Sequence, residues 1–333
     1  MISMQHTHPF VSVVTPTHNR CHQLSRTLAA LSVQTYPADR MECLFVADGC
    51  VDDTVAFLQQ YSAPWRLNVF EEPGVGPAAA RNRGAAEASG EILIFLDDDM
   101  EVVPEFVAEH VAIHQKYPRA VVVGTLLAVP HQTNSYFERS LQEWWDAKFF
   151  RMRQPGYRFR YDDFLSGNLS VRADCFAQVG GFDPTLHCRD DYELGVRLLE
   201  AGVTCKLATG AASYHHDATD LARALQRRVP EGKADVYISL RHAGLHEQTP
   251  LAQAPYTLLG RILRYLAFRR TALGHGIAQI CQHILPWLEL LGLFGFWQSL
   301  LFHIQDYWYW YGVGTVAHPA VIREIFSTPY VES

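Results

Sequence analysis

The sequence predicts an α/β fold, a mainly parallel sheet flanked by helices, with a helical C-terminal extension. Three observations predict it. Short β-rich runs alternate with helical periods from Phe10 to about Gly124, residues able to do chemistry cluster just after those runs, and beyond Pro255 the pattern changes to long apolar helices. Strand, helix, strand at this spacing gives right-handed βαβ units, whose ligands bind beyond the carboxyl ends of the strands.

The strands are expected over residues 11–15, 42–47, 66–71, 92–96 and 120–126, with helices separating the first four. In the first helix Leu24, Leu28 and Leu31 share one face, and Asn19 is placed to cap it. Asp52 stands in the same relation to the second helix, before Val55 and Leu58. A helix over 134–151 carries the paired Trp144 and Trp145, and a basic, aromatic stretch then runs to Asp163. Ser166-Gly167-Asn168-Leu169-Ser170-Val171 leads through a short helix to Gly180-Gly181-Phe182-Asp183. A helix over about 190–200 and paired short strands over 204–214 follow, ending at His215-His216-Asp217. The expected division is a catalytic domain over 1–220, in halves of about 10–125 and 126–220, and a helical region over 221–333.

Composition narrows the function. The 333 residues are 48% hydrophobic and 19% charged, which fits neither a disordered chain nor a wholly membrane-embedded one. A net charge of −7 argues against nucleic acid as a partner. That figure averages unlike parts: residues 1–220 hold 18 cations and 28 anions, whereas residues 221–275 hold nine cations and three anions. Residues 1–9 lack the apolar core of a signal peptide, so a cytoplasmic location is expected. The seven cysteines form no C-x-x-C pair and read as reduced, mostly buried thiols.

The loops after the runs hold the candidate chemistry. Thr15-Pro16-Thr17-His18-Asn19-Arg20 follows the first, a loop from Asp48 to Asp53 the second, Pro73-Gly74-Val75-Gly76-Pro77 the third, and Asp97-Asp98-Asp99 the fourth. Three adjacent carboxylates need a compensating cation, and oxygen ligands suit Mg²⁺ or Mn²⁺. The glycine turn reads equally as a diphosphate cradle or as a simple helix entry. Asp191, three and seven residues before Leu194 and Leu198, falls on the inward face of its helix. There the helix N-terminus keeps it ionised, as a general base requires. His215 and His216 point opposite ways along a strand, so at most one faces the acidic cluster, with His215 the better candidate to join Asp99 at a metal.

In order along residues 10–220, several short segments resemble the family 2 glycosyltransferases, with the nucleotide-diphospho-sugar transferase (GT-A) fold. They are Val11 to Arg20, Val46 to Asp52, Ala80-Arg81-Asn82-Arg83-Gly84, Gly90 to Asp99, Gly167-Asn168-Leu169-Ser170, and Gly181-Phe182 to Asp190-Asp191-Tyr192-Glu193-Leu194. The resemblance implies that Pro16, His18, Arg20, Asp48 and Arg81 line the nucleotide pocket, with Asp97 beside them. It implies that Asp98 approaches the ribose, Asp99 holds the cation bridging the diphosphate, and Asp191 is the base. It implies inverting transfer from a nucleotide-diphosphate sugar, most often a UDP-sugar, to a glycan or lipid-linked acceptor in cell-surface polysaccharide or glycolipid synthesis. His18 stands where a tyrosine is common, Ala47 replaces the first of two usual aspartates, and Asp190 replaces a usual glutamate. Asp190, Trp144 and Trp145 are expected near the acceptor or behind the base. A pyrophosphorylase of the same fold would want a lysine and glycines in its opening loop, which residues 15–20 lack. A membrane-associated scaffold, its tryptophans stacking on sugars, is the non-enzymatic alternative.

Residues 284–302 hold only Glu289, Gln298 and Ser299 as polar side chains. A packed helix, attachment to a membrane surface, or a span are the three readings, and a buried Glu289 opposes the span. The arginines of residues 221–275, beside apolar and aromatic helices, suit an anionic membrane surface, such as the inner face of the cell membrane, or a lipid-diphosphate acceptor, and an equally simple reading is that they cover the acidic domain of residues 1–220.

Overall fold

A computed structural model describes residues 8–129, 135–216, 219–242, 244–245, 248–253 and 257–317. They fall into two compact units, one of Met1–His131 with Gln142–Asp217, the other of Gln132–Leu141 with Ala218–Ser333.

The first unit is built on an eight-stranded sheet. Its strands are β1 (Val11–Thr17), β2 (Met41–Asp48), β3 (Arg66–Glu72), β4 (Ile92–Leu96), β5 (Met100–Val102), β6 (Ala120–Ala128), β7 (Asn168–Arg172) and β8 (Thr204–His215). They lie in the order β3-β2-β1-β4-β7-β6-β8-β5. The first four are parallel, as the βαβ spacing requires. β7 runs antiparallel between β4 and β6 and makes the sheet mixed. β2 and β4 are buried along their whole length, and β4 reads as an unbroken apolar run. Helices α1 (Cys21–Ser32), α2 (Thr54–Gln60), α3 (Pro77–Glu87), α4 (Phe106–Lys116), α6 (Ala173–Gln178) and α7 (Asp190–Glu200) belong to the same unit, whereas the residues of α5 (Tyr136–Met152) are divided between the two units after Leu141.

Three local expectations are corrected. Asn19 does not cap α1: it adopts a left-handed φ of 52°, and its Oδ1 accepts from Val51 N at 2.8 Å, tying the first loop to the second. Residues 204–214 do not form paired strands. They lie in one strand, β8, whose pairing with β6 jumps from Ala208 to Ala212 opposite Gly124 and Thr125, a bulge that re-aims the strand's end. The apolar stretch 284–302 is not one helix, because Gly292, at φ 73°, ends α10 (Ala272–Leu290) before α11 (Phe294–Val316) begins. Asp52 falls one residue before the N-cap of α2, which is Asp53, although its Oδ1 does accept from Thr54 N at 3.1 Å.

A buried polar chain fixes β7 in the sheet. Asn168 Nδ2 donates to Ala211 O and Ser213 Oγ, both at 3.0 Å, and its Oδ1 lies 2.9 Å from His110 Nε2. Ser170 Oγ lies 2.8 Å from both His110 Nδ1 and His114 Nε2. Burial pushes His110 down to about 4 and His114 to about 3, so both rings stay neutral.

In the second unit α8 (Leu221–Arg241), α9 (Leu258–Arg269), α10 and α11 bury the aromatic run of residues 307–311 around Tyr307, Tyr309 and Trp310. α8 and α11 cross closely because Gly232 and Gly312 have no side chains: a Cβ on either would collide with the backbone of the other helix. No described helix is long and apolar enough to cross a membrane.

Candidate active site

β1, β2 and β4 lie side by side and parallel, so the loops at their carboxyl ends meet along one edge. The three aspartates after β4 each find different partners. Asp97 Oδ1 accepts from Arg81 Nη2 at 2.7 Å. Asp98 Oδ2 accepts from the Thr17 hydroxyl at 2.7 Å, and burial pushes this carboxyl up to about 6 against that hydrogen bond. Asp99 is also buried, which would raise it, but His215 and Arg20 hold it below the usual carboxylate value. Arg20 stands between the two, its Nε 3.8 Å from Asp98 and its Nη2 3.9 Å from Asp99. Those distances are too long for hydrogen bonds, so its donors are free to turn toward an anion.

Asp99 Oδ1 is sealed from solvent without a well-directed hydrogen bond, and His215 Nε2 lies 3.3 Å away. His216 points elsewhere, to Glu101 Oε2 at 2.7 Å. Alternation along β8 thus leaves His215 facing the cluster. Among the described residues no group of three His, Cys, Asp or Glu side chains could hold a metal ion alone. A buried carboxylate oxygen and an imidazole nitrogen do fit two positions of a Mg²⁺ or Mn²⁺ whose remaining ligands come from substrate phosphates and water. Asp217 lies outside the described residues.

Arg81, on α3, lies between two carboxylates. Its guanidinium is buried over the Phe182 ring, 5.5 Å from the centroid, and donates from Nη1 to Asp190 Oδ2 at 3.1 Å as well as to Asp97. Burial opposes the charge, yet the two carboxylates hold it well above its usual value. Arg81 therefore links the end of β4 to the start of α7. Asp97, its side chain 32% exposed, forms the open end of the link, and Asp190 the closed end.

α7 starts where Arg189 turns through a left-handed φ of 56°, and Leu194 and Leu198 anchor it in the core. This orientation leaves Asp191 half-buried, Oδ2 accepting from Ser166 N at 3.2 Å and Oδ1 from Tyr192 N at 2.9 Å. The expectation that the helix N-terminus keeps Asp191 ionised is reversed. Burial first, and then the charge of Asp190, push it up to about 7 against Arg81 and the two amides.

The glycine turn is a helix entry. Val75 N and Gly76 N donate to the two carboxylate oxygens of Asp48, at 2.6 and 2.8 Å, so these amides are already committed. Gly49, at φ 67°, passes so near Gly74 that a Cβ would stand 3.1 Å from its Cα. His18 Nδ1 lies 2.5 Å from the Asp48 carbonyl. Pro16 sits within β1, opposite Val46. Asp48 and His18 therefore fix the loops after β1, β2 and β3 to each other.

Trp144 and Trp145 meet each other edge to face at 4.8 Å, and Trp145 stacks on Phe149 at 6.0 Å. No described contact joins either ring to the aspartates or Arg81. The residues not singled out from sequence are Thr17 and Ser166, one a hydroxyl and the other a backbone amide. Neither carries a local signal, because each matters only through a partner brought from elsewhere in the chain.

The family model of Glycosyl transferase family 2 matches residues 12–179. The chain is 34% identical over 221 residues to validoxylamine A glucosyltransferase of Streptomyces hygroscopicus subsp. jinggangensis, a match covering 59% of this chain and 52% of that protein. The chain thus spans about half the length of that relative. Among solved structures, the mannosyltransferase PcManGT of Pyrobaculum calidifontis, in complex with GDP-Man and Mn²⁺, superposes with a TM-score of 0.59 at 18% identity, over 90% of this chain and 86% of that one. S. aureus TarS 1-349 in complex with UDP superposes with a TM-score of 0.53 at 13% identity, over 91% and 90%. The fold is of the GT-A type.

Proposed function

The chain belongs to glycosyltransferase family 2, and on that premise we propose that it transfers a sugar from a nucleotide-diphosphate donor to an acceptor hydroxyl with inversion at the anomeric carbon. The observation that carries this reading is Asp191. It is a single carboxylate held by two backbone amides, pushed up to about 7, and joined through Asp190 and Arg81 to the aspartates that end β4. A base near neutral pH is what deprotonation of a sugar hydroxyl calls for. Asp191 accepts the hydroxyl proton as the acceptor oxygen bonds to the anomeric carbon and the bond from that carbon to the diphosphate breaks. One displacement needs no covalent intermediate and inverts the configuration.

Asp99 and His215 are the residues that would hold Mg²⁺ or Mn²⁺, which when bound supplies positive charge to the leaving diphosphate. Arg20 faces the same place with donors to spare and orients the diphosphate. Asp98, presented by Thr17, is positioned to accept from a donor hydroxyl. The partially exposed Asp97 suits contact with the nucleotide sugar, and Arg81 holds Asp97 and Asp190 in place. The complexes of the structural neighbours with GDP-Man and UDP support a nucleotide-diphosphate donor, and a UDP-sugar is our preferred candidate. The acceptor is a growing cell-surface glycan or a glycolipid.

The test is Asp191→Asn. It should abolish transfer while donor binding, measured by calorimetry with Mn²⁺, survives. Unchanged turnover would overturn the assignment.

A further inference from the structure

The second unit presents large apolar side chains to solvent in an ordered pattern. On α10, Leu273, Ile280, Ile284, Trp287 and the following Leu291 are all exposed, Trp287 at 66% and Leu291 at 67%. Their spacings of seven, four, three and four residues keep them on one side of a 3.6-residue helix. The stripe spans 18 residues, about 27 Å at 1.5 Å per residue. The opposite face, with Gly274, Ala278 and Leu285, is the buried one. α9 repeats the device: Leu258, Ile262 and Tyr265 are exposed at i, i+4 and i+7, while Leu263 and Ala267 are buried.

The charges around these stripes are of one sign. Between residues 257 and 293 the charged side chains are Arg261, Arg264, Arg269, Arg270 and Glu289. Arg264 is buried and ion-paired with Asp306, and Glu289 accepts from Tyr136 N at 2.7 Å. The exposed ones are Arg261, Arg269 and Arg270. Arg269 continues the α9 stripe and lies over the Tyr265 ring, 5.6 Å from its centroid.

Apolar side chains in rows, an exposed tryptophan and tyrosine, and arginines without exposed acids make a surface complementary to the headgroup region of an anionic bilayer. There aliphatic side chains enter the acyl boundary, aromatic rings sit at headgroup level and guanidinium groups meet lipid phosphate. We propose that the exposed apolar stripes of α9 and α10 dock on an anionic lipid surface and hold the enzyme there without spanning it. A protein-protein interface would have no use for uniform positive charge unless its partner were acidic.

The experiment is cosedimentation of the full chain with phosphatidylcholine vesicles, with and without phosphatidylglycerol, at low and high salt. Binding should require the anionic lipid and weaken as salt rises. Ile284→Glu with Trp287→Glu, both at exposed positions, should weaken it at least about tenfold, and Arg269→Glu with Arg270→Glu by a comparable factor. Both variants should keep the wild-type melting temperature, which separates lost docking from lost folding. No sedimentation with anionic vesicles at low salt would overturn the proposal. So would undiminished binding by both variants, or a wild-type dimer in solution that the Ile284 and Trp287 replacements dissociate.

Discussion

The pH dependence of transfer puts the base and its neighbours to a directional test. If Asp191 takes the acceptor proton, kcat/KM rises with pH through the titration of Asp191 and levels off above it. In the native protein that limb falls at about 7, against an ordinary value of 3.8. Burial is the larger cause of the rise and Asp190 the next, while Arg81 and the amides of Ser166 and Tyr192 work against it. Asp190→Asn removes the adjacent negative charge and leaves the charge of Arg81 in place, and both changes favour the Asp191 carboxylate. Loss of the second-largest cause of the rise should therefore move the limb to lower pH. Arg81→Met acts the other way. It strips the cation from a buried pair, Arg81 and Asp190 being 7% and 8% exposed, and raises the limb. The same change should cost about 3–5 kcal/mol of stability, since an uncompensated buried charge remains. The assay is release of nucleoside diphosphate, followed as kcat/KM over about pH 5–9 at constant ionic strength for the three proteins. A native profile flat through neutrality, or a limb displaced in the same direction by both variants, would refute the assignment of Asp191 and its coupling to Asp190 and Arg81.

The buried histidines predict an acid sensitivity of stability. His110 and His114 are pushed down to about 4 and 3, whereas in the unfolded chain they titrate at 6.5. Their contribution is therefore complete above 6.5 and is lost as pH falls toward 4, about 2 kcal/mol for each ring by pH 5. Urea midpoints should fall over this range less steeply in His114→Gln than in the native protein, and parallel slopes would contradict the account. Asp191 titrates with the opposite sign there, so the comparison between proteins, not the absolute slope, is the measurement. Gly312→Ala places a Cβ against the Val229 carbonyl and should cost about 1–3 kcal/mol by forcing α8 from α11, seen as a lower melting temperature. For the cation, Mn²⁺ should be needed for UDP, GDP or dTDP to raise the melting temperature, and chelation or Asp99→Asn should remove the rise. A full rise with chelator present would exclude Asp99 as a cation ligand.

Much of the first unit was legible because its strands advertise themselves. A parallel strand buried on both faces is an apolar run, and Ile92–Leu96 is one, ending where Asp97 begins. The inward placement of Asp191 followed from its spacing to Leu194 and Leu198, two side chains that are fully buried. What escaped notice is non-local. β5 is a three-residue strand that exists only because β8 pairs with it. Arg81 meets Asp190 across 109 positions, and His110 meets Asn168 across 58, so no window of sequence contains either pair. The state of Asp191 was misjudged for the same reason: a helix N-terminus is visible locally, whereas burial and the grip of Arg81 on Asp190 are not.

α10 shows a different limit. Its polar residues His275, Gln279, Gln282, His283 and Glu289 share one side, but the rest of the circumference is apolar and the sequence gives no sign of which part of it is covered. Packing decides that, and it favours small residues. Gly274 and Ala278 lie on the side turned inward, where a Cβ on Gly274 would stand 2.9 Å from the Tyr307 hydroxyl. The large residues Ile280, Ile284 and Trp287 are left outside. A helix that packs through its small side chains and exposes its large ones has reversed the usual allocation of apolar surface. Exposed apolar surface costs about 25 cal/mol per Å² relative to burial, so the reversal has a rationale once the exposed face has an apolar medium to enter. On the docking proposal, the residues that made 284–302 read as a candidate span serve instead as a surface that meets a bilayer without crossing it.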